Sequence, residues 1–324
     1  MSRALRRGYT TGVNTLFAFC SALGVFVRVG GVVVAKNKKI DNDDLDITKG
    51  AEIVVTIAPK KELLTLNPTP HQPYTFGKAK IFAGVGVGVV TKDGLKPPKN
   101  YPAINPTPLK ELKRCYELLG EKREIFCAVS VTNGEELARQ TANPKVGVVG
   151  GISILGSSGW VKPVSNEAFL DSIKTEIKVA LADGFSEIVF SLGNNSLKRA
   201  KESFKETQIV EIGNFIYDSF KIAKELGAER VILFVGAGKA LKIAQGFKNT
   251  HNRFGGIDFE ALKKEIKREL SFEIDTDSTK TLKGVLEQLR EKNLDEKLKK
   301  LIKKEAIKRL KEWFDGLDVE VVLV

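Results

Sequence analysis

Apolar and polar positions follow three successive rhythms along the chain, and each predicts a different architecture. From Val13 to Val27 the residues are mostly apolar and fit one helix, with Thr11 as a cap and Gly30-Gly31 as its stop. Val32–Ala35 and Glu52–Ala58 are rich in Val and Ile and predict strands. Residues 59–110 are crowded with Pro and Gly and predict short strands at most. This mixture predicts an α+β N-terminal domain over 1–124.

The second rhythm alternates strand and helix. Strands are predicted at Ile125–Val131, Val146–Val149, Glu187–Leu192, Gln208–Ile212 and Arg230–Val235. Helices are predicted between and after them, at Glu135–Thr141, Asn166–Ala182, Ser196–Phe204, Phe215–Leu226 and Lys239–Phe247, with Ser165 as an N-cap. Such alternation predicts a Rossmann-like α/β domain over 125–255, built on a parallel, doubly wound sheet that binds ligands at the carboxyl ends of its strands. The third rhythm, over 256–324, is amphipathic and helical: Phe259, Leu262, Ile266 and Leu270 share a face, as do Leu294, Leu298, Leu301 and Ile302. Asp318–Val324 alternates and predicts a terminal strand.

With 324 residues and 42% hydrophobic content the chain can bury a sizeable core, and a charged fraction of 28% argues against disorder. The apolar stretch Val13–Val34 is broken by Asn14, Arg28 and Gly30-Gly31, so it is read as a buried helix and strand rather than a signal peptide or membrane span. Cys20, Cys115 and Cys127 show no CxxC spacing and are read as reduced, buried thiols of a cytoplasmic protein. The net charge of +12 lies wholly in residues 1–255, because the segment from Gly256 onward carries 16 basic and 16 acidic residues. A basic body suits an acidic partner: nucleic acid, an anionic membrane or a polycarboxylate small molecule.

Familiar catalytic patterns fail. Val235–Ala240 (VGAGKA) has Leu233 where a P-loop needs its first Gly, and Gly84–Val90 (GVGVGVV) is not GxGxxG. His71 and His251 have no ligand-spaced partners, so no metal site is expected, and there is no GxSxG. Aromatic residues at 8% with no RNP-like stretch disfavour a basic nucleic-acid-binding protein, the competing class.

Four polar segments remain, each with a structural reading beside a functional one. Leu5–Gly12 (LRRGYTTG) is either a capped helix start or an anion site, with Arg6 and Arg7 as bidentate grips. Ala103–Pro108 (AINPTP) is a rigid turn or a presenter of Asn105. Asn143–Pro163 contains Gly150, Gly151, Ser153, Gly156, Ser157 and Ser158; it is a long βα loop or a wall that lets a ligand approach the backbone closely. Asn249-Thr250-His251-Asn252 holds a satisfied capping His or an acid/base group.

These segments, in this order, resemble the CbiD family of cobalt-precorrin-5B methyltransferases, together with Asp43–Ile53 (DDLDITKGAEI), Val90–Leu95 (VTKDGL) and above all Asn133–Ser165. The resemblance spans roughly Leu5 to Asn252. It implies S-adenosylmethionine as methyl donor and an anionic cobalt-tetrapyrrole as acceptor, with cobalt present only as part of the substrate. It further implies methyl transfer to C-1 in anaerobic cobalamin biosynthesis, in the cytoplasm, without nucleic-acid or membrane partners; homo-oligomerisation stays open. On this resemblance Gly150, Gly151, Ser153, Gly156, Ser157 and Ser158 would shape the donor pocket. Arg6, Arg7, Tyr9, Thr10, Thr11 and Asn105 would hold the macrocycle, and His251 would assist catalysis. The chain departs from the family pattern at Val13–Leu16, at Leu109, at Gly236–Lys239 and in THNR for THSR. These departures raise the alternative of a diverged or inactive corrinoid-binding paralogue.

Overall fold

The computed structural model describes residues 8–40, 47–156, 160–161, 166–275 and 281–324. It forms two compact units, Met1–Asn166 and Glu167–Val324.

The first unit runs β1 (Gly8–Tyr9), α1 (Thr11–Val29), β2 (Val33–Lys38), β3 (Glu52–Ala58), β4 (Tyr74–Phe76), β5 (Ala79–Ala83), β6 (Gly86–Val87), β7 (Val89–Val90), α2 (Pro106–Leu119), β8 (Ile125–Val131), α3 (Gly134–Ala138), β9 (Val148–Val149), β10 (Gly151–Ile152) and β11 (Trp160–Val161). Its main sheet has the order β2-β3-β8-β5-β4, antiparallel except for the β5–β8 pair. Every second residue of β3 (Ile53, Val55, Ile57) points into one core, where Phe19, Leu23 and Phe26 of α1 meet it.

The cap of α1 lies one residue before the expected Thr11: Thr10 Oγ1 accepts from Val13 N at 3.3 Å. It stops at Gly30, at φ 67°, whose N–H reaches Phe26 O. By length and composition α1 could cross a membrane, a property the interrupted apolar run does not predict. Its face of Ala18, Phe19, Ala22, Leu23 and Phe26 is buried on the sheet, as are Thr11, Asn14 and Thr15, which makes it a core helix. Arg123 closes its far end, donating to Phe26 O at 3.0 Å and Val27 O at 3.2 Å. Glu121 holds Arg123 through a charge-assisted hydrogen bond.

Helix α2 was not among the expected elements. Asn105 is its N-cap residue, Pro106 enters its first turn, and Gly120 closes it in the left-handed conformation at φ 64°. The structure also joins Cys20 of α1 to Cys115 of α2 in a disulfide, Cα atoms 6.2 Å apart. This corrects the expectation of three reduced thiols: the two helices pack side by side and bring together positions 95 residues apart. Cys127 remains free and buried, and that burial raises its thiol pKa.

The second unit runs α4 (Asn166–Ala182), β12 (Glu187–Leu192), α5 (Asn194–Lys201), β13 (Ile209–Glu211), α6 (Ile216–Glu225), β14 (Arg230–Val235), α7 (Ala237–Ala244), α8 (Phe259–Leu270), α9 (Leu282–Arg290), α10 (Asp295–Trp313) and β15 (Asp318–Leu323). Four parallel strands lie in the order β13-β12-β14-β15. Val231, Leu233 and Val235 face a large core shared with α6, α7 and α10, whereas Ile232 and Phe234 face a smaller cluster that includes Ala200 of α5.

Two expectations change here. Ile125–Val131 and Val148–Val149 do not enter the parallel sheet; β8 pairs with β3 and β5, and β9 with β7. The segment 256–324 is not a separate region either. Leu298, Ile302, Ala306 and Leu310 of α10 bury their stripe in the core of the parallel sheet, and β15 extends that sheet beside β14. The chain is therefore mixed α/β, with a helical C-terminal segment that ends in a strand.

Candidate functional site

Three separate segments of the first unit are tied together around the start of α1. Thr11 Oγ1 donates to Leu155 O at 3.2 Å and accepts from Leu155 N at 2.8 Å. Gly12 N donates to the same Leu155 carbonyl at 2.8 Å. Asn105 N donates to Ile154 O at 3.0 Å, and Ile154 N to Ala103 O at 2.8 Å. A Cβ on Gly156 would stand 2.5 Å from Thr10 Oγ1, so glycine is what lets these chains touch. Tyr9, Thr10, Thr11 and Asn105, expected to hold the macrocycle, and Gly156, expected to shape the donor pocket, are thus neighbours. Tyr9, Thr10, Asn105 and Gly156 are half-buried; Thr11 is buried.

Three of the N–H donors that the helix-start reading leaves open to an anion are already taken. Leu155 O takes the Gly12 N–H and Thr10 takes those of Val13 and Asn14. Arg6, Arg7, Ser157 and Ser158 lie outside the described residues, as does the expected cap Ser165.

Gly150 and Gly151 are glycines for a different reason than an open pocket. A Cβ on Gly151 would lie 2.3 Å from the backbone of Gly86, and one on Gly134 would lie 2.0 Å from Gly86 O. Gly151 pairs with Gly86 in the parallel β6–β10 ladder. The glycines of Gly84–Val90 and Gly150-Gly151 are therefore two halves of one seam where backbones cross at contact distance. Asn67, 4% exposed, braces it: its Nδ2 donates to Val87 O at 2.7 Å and Gly150 O at 3.0 Å, and its Oδ1 accepts from Thr69 N at 2.8 Å. Ser153 Oγ sits 3.4 Å from Asn143 Oδ1 beside the seam. Sequence reasoning missed Asn67, although the tetrapeptide Asn-Pro-Thr-Pro stands at 67–70 as well as at 105–108.

In the second unit His251 is exposed and caps the short turn Asn252–Phe254, its Nδ1 accepting from Arg253 N at 3.1 Å. The loop around it is fixed by its neighbours. Thr250 Oγ1 donates to Asn214 Oδ1 at 2.9 Å, and the buried Lys242 donates to Thr250 O, Asn252 Oδ1 and Gly255 O. The other histidine, His71, is structural: Ala83 N donates to its Nε2 and its Nδ1 meets Thr69 O.

The CbiD family profile matches residues 26–163, the stretch that holds the glycine seam and the Ala103–Asn105 and Ile154–Gly156 segments. The chain is 34% identical over 296 residues to the cobalt-precorrin-5B C(1)-methyltransferase of Methanocaldococcus jannaschii, covering 87% of this chain and 76% of that one. The chain belongs to the CbiD family. Another relative of the same name, from Thermoanaerobacter sp., is 29% identical and aligns with 99% of this CbiD chain and 93% of its own length. A crystal structure of cobalamin biosynthesis protein (cbiD) from Archaeoglobus fulgidus is 23% identical, with 71% of this chain and 77% of that one covered, at a TM-score of 0.34.

Two features of this CbiD chain gave no sequence signal that could be read without its fold. Lys242 sits in a helical lysine pattern that looks solvent-facing, and Asn214 lies in a short turn; both prove to hold the Thr250–Asn252 loop.

Proposed function

We propose that this CbiD chain is a C-methyltransferase that moves a methyl group from S-adenosylmethionine to C-1 of cobalt-precorrin-5B in cobalamin biosynthesis, acting in the cytoplasm. The observation that carries the proposal is the 34% identity, over 87% of the chain, to a relative named for that reaction.

The chemistry asks little of the protein beyond placement. A sulfonium methyl passes to an electron-rich ring carbon by in-line displacement; the methyl–sulfur bond breaks as the methyl–carbon bond forms, and the thioether leaves with the electron pair. Positive charge disperses as this happens, so alignment and exclusion of water supply most of the acceleration. No covalent nucleophile is needed.

In this reading Tyr9, Thr10, Asn105 and Gly156 form the rim that meets the ligands, and Arg6, Arg7, Ser157 and Ser158, adjoining it in sequence, reach the carboxylates and the donor. Gly150, Gly151 and Ser153 contribute by shaping the wall behind that rim, and Thr11 by clamping it. His251 would offer Nε2, since its Nδ1 is already engaged by Arg253 N. The acceptor is anionic through its acetate and propionate arms, which suits the excess of positive charge in residues 1–255.

Calorimetry with S-adenosylhomocysteine tests the donor half. Saturable one-site binding, weakened by Gly156→Val, supports it; no heat at millimolar ligand removes it.

A further inference from the structure

The parallel sheet of the second unit reverses its strand order at its middle. β12 leads through α5 to β13 on one side, and β14 lies on the other. Ala200 of α5 packs on one face of the sheet, Ala240 and Leu241 of α7 on the opposite face. The chain segments leaving β12 and β14 therefore part over the two central strand ends, the point at which an open parallel sheet holds its ligands. Glycines stand at both exits, and a Cβ on Gly193, Gly236 or Gly238 would meet no atom within 4 Å. At Gly193, with φ 102°, the backbone itself calls for glycine.

Two polar groups without partners stand side by side at this edge. Ser191 of β12 is 1% exposed, and its hydroxyl has no hydrogen-bond partner among the described residues. Glu211, the last residue of β13, is exposed, and its carboxylate makes no ion pair or hydrogen bond among the described residues. Lys201 feels the charge of Glu211 but is bonded to Glu206, at 2.8 Å. Ser191 and Glu211 are in register across the β12–β13 pair. Val189 and Ile209, two residues before each, pack in the cluster that holds Ala200, so both side chains project on the face of α5. Neighbouring strands lie about 4.8 Å apart, and a Glu211 carboxylate turned over the sheet end meets the Ser191 hydroxyl. Two positions beyond Ser191, Gly193 has no side chain to fill the space above it.

An ionised carboxylate only accepts hydrogen bonds, so it selects a ligand that donates twice from adjacent atoms. A ribose cis-diol does so. An acid at the end of the next strand, about 20 residues after the glycine turn, is where a sheet of this kind holds one. We infer that the carboxyl edge of the second unit's sheet is a ribonucleoside site. Glu211 accepts from the 2′- and 3′-hydroxyls, and Ser191 donates to Glu211 and fixes its rotamer. The inference uses residues of the second unit alone and does not rest on the function proposed above. The nucleoside comes from one of two sources, the adenosyl part of a sulfonium methyl donor or a free adenine nucleotide.

The test is calorimetric titration of the full chain with adenosine, adenosine monophosphate, S-adenosylhomocysteine and adenosine whose 2′- and 3′-hydroxyls are tied in an isopropylidene group. Saturable binding of at least one free-diol ligand is expected, with no binding of the tied one. Glu211→Gln should weaken that binding about tenfold or more at unchanged melting temperature, since the side chain is exposed. Ser191→Ala should weaken it less, without lowering the melting temperature of the free chain, a combination that a purely structural serine does not give. Tighter binding of S-adenosylhomocysteine than of the monophosphate assigns the site to the donor, and the reverse order assigns it to a free nucleotide. Equal affinities of wild type and Glu211→Gln for every free-diol ligand overturn the site, as does a wild type that binds none of them. If S-adenosylhomocysteine binding resists Glu211→Gln but falls in Gly156→Val, this site falls and the proposed function stands. If it falls in Glu211→Gln and resists Gly156→Val, the site stands and the donor assignment to the first unit falls.

Discussion

Thr11 and Leu155, 144 positions apart, hold each other by two hydrogen bonds through a single hydroxyl. That hydroxyl fastens the start of α1 to the end of the glycine-rich block. Thr11→Val keeps the shape and removes both bonds, leaving the Leu155 N–H without its acceptor. A loss of about 1–3 kcal/mol is expected from denaturant unfolding, with Thr11→Ser close to wild type.

Gly151→Ala is expected to act on the fold before it acts on any ligand. Its Cβ would enter the backbone of Gly86 at 2.3 Å, and the atoms it meets are backbone of Gly86 and Val87 rather than the end of a flexible side chain. Overpacking of this kind costs about 1–3 kcal/mol. The melting temperature should therefore fall while circular dichroism keeps its native shape. Asn67→Ala, which removes the brace across the same seam, should lower it too. An unchanged melting temperature for Gly151→Ala would show that the seam is looser than a 2.3 Å approach implies.

Thiol titration of the denatured, unreduced chain should find one reactive cysteine, Cys127, and three after reduction. Linking positions 95 residues apart restrains the unfolded chain, so reduction should lower stability by about 2–4 kcal/mol. Cys20→Ser should reproduce that loss and be insensitive to reductant.

The closure of α1 should weaken in acid. The hydrogen bond and charge of Arg123 hold the Glu121 carboxyl down to about 2. A carboxylate depressed on folding stabilises the native state above its unfolded pKa of about 4.3, and that contribution disappears as pH falls toward the folded value. The melting-temperature gap between wild type and Glu121→Gln should be constant from pH 7 to pH 5 and should close between about pH 4.5 and pH 2.

Much of the local structure was legible in the sequence. Glu52–Ala58, Asn166–Ala182, Glu187–Leu192 and Arg230–Val235 fall where their periodicity places them, because burial of one face imposes a period on each. Partner choice was not legible. Ile125–Val131 has the apolar run of a parallel-sheet strand, and it does pair in parallel, but with β5 of the first unit. A strand's own residues carry its two faces and not its neighbour. Helix α2 was hidden by its prolines, which read as a turn until Asn105 is seen at its N-cap. The candidate site was half legible. Small polar residues and glycines single out the segments of Tyr9, Thr10, Asn105 and Gly156, and the fold makes those segments neighbours. The packing role of Gly150 and Gly151 depends on Gly86 and Asn67, more than 60 positions away, and no local pattern reports it.

The most direct measurement is incubation of the chain with cobalt-precorrin-5B and S-adenosylmethionine labelled in its methyl group, followed by mass analysis of the macrocycle. Gain of one labelled methyl on the ring, located at C-1 by NMR and dependent on the protein, is the expected result. A macrocycle that is bound but returned unlabelled, under conditions where a Methanocaldococcus jannaschii control transfers its methyl, would contradict it.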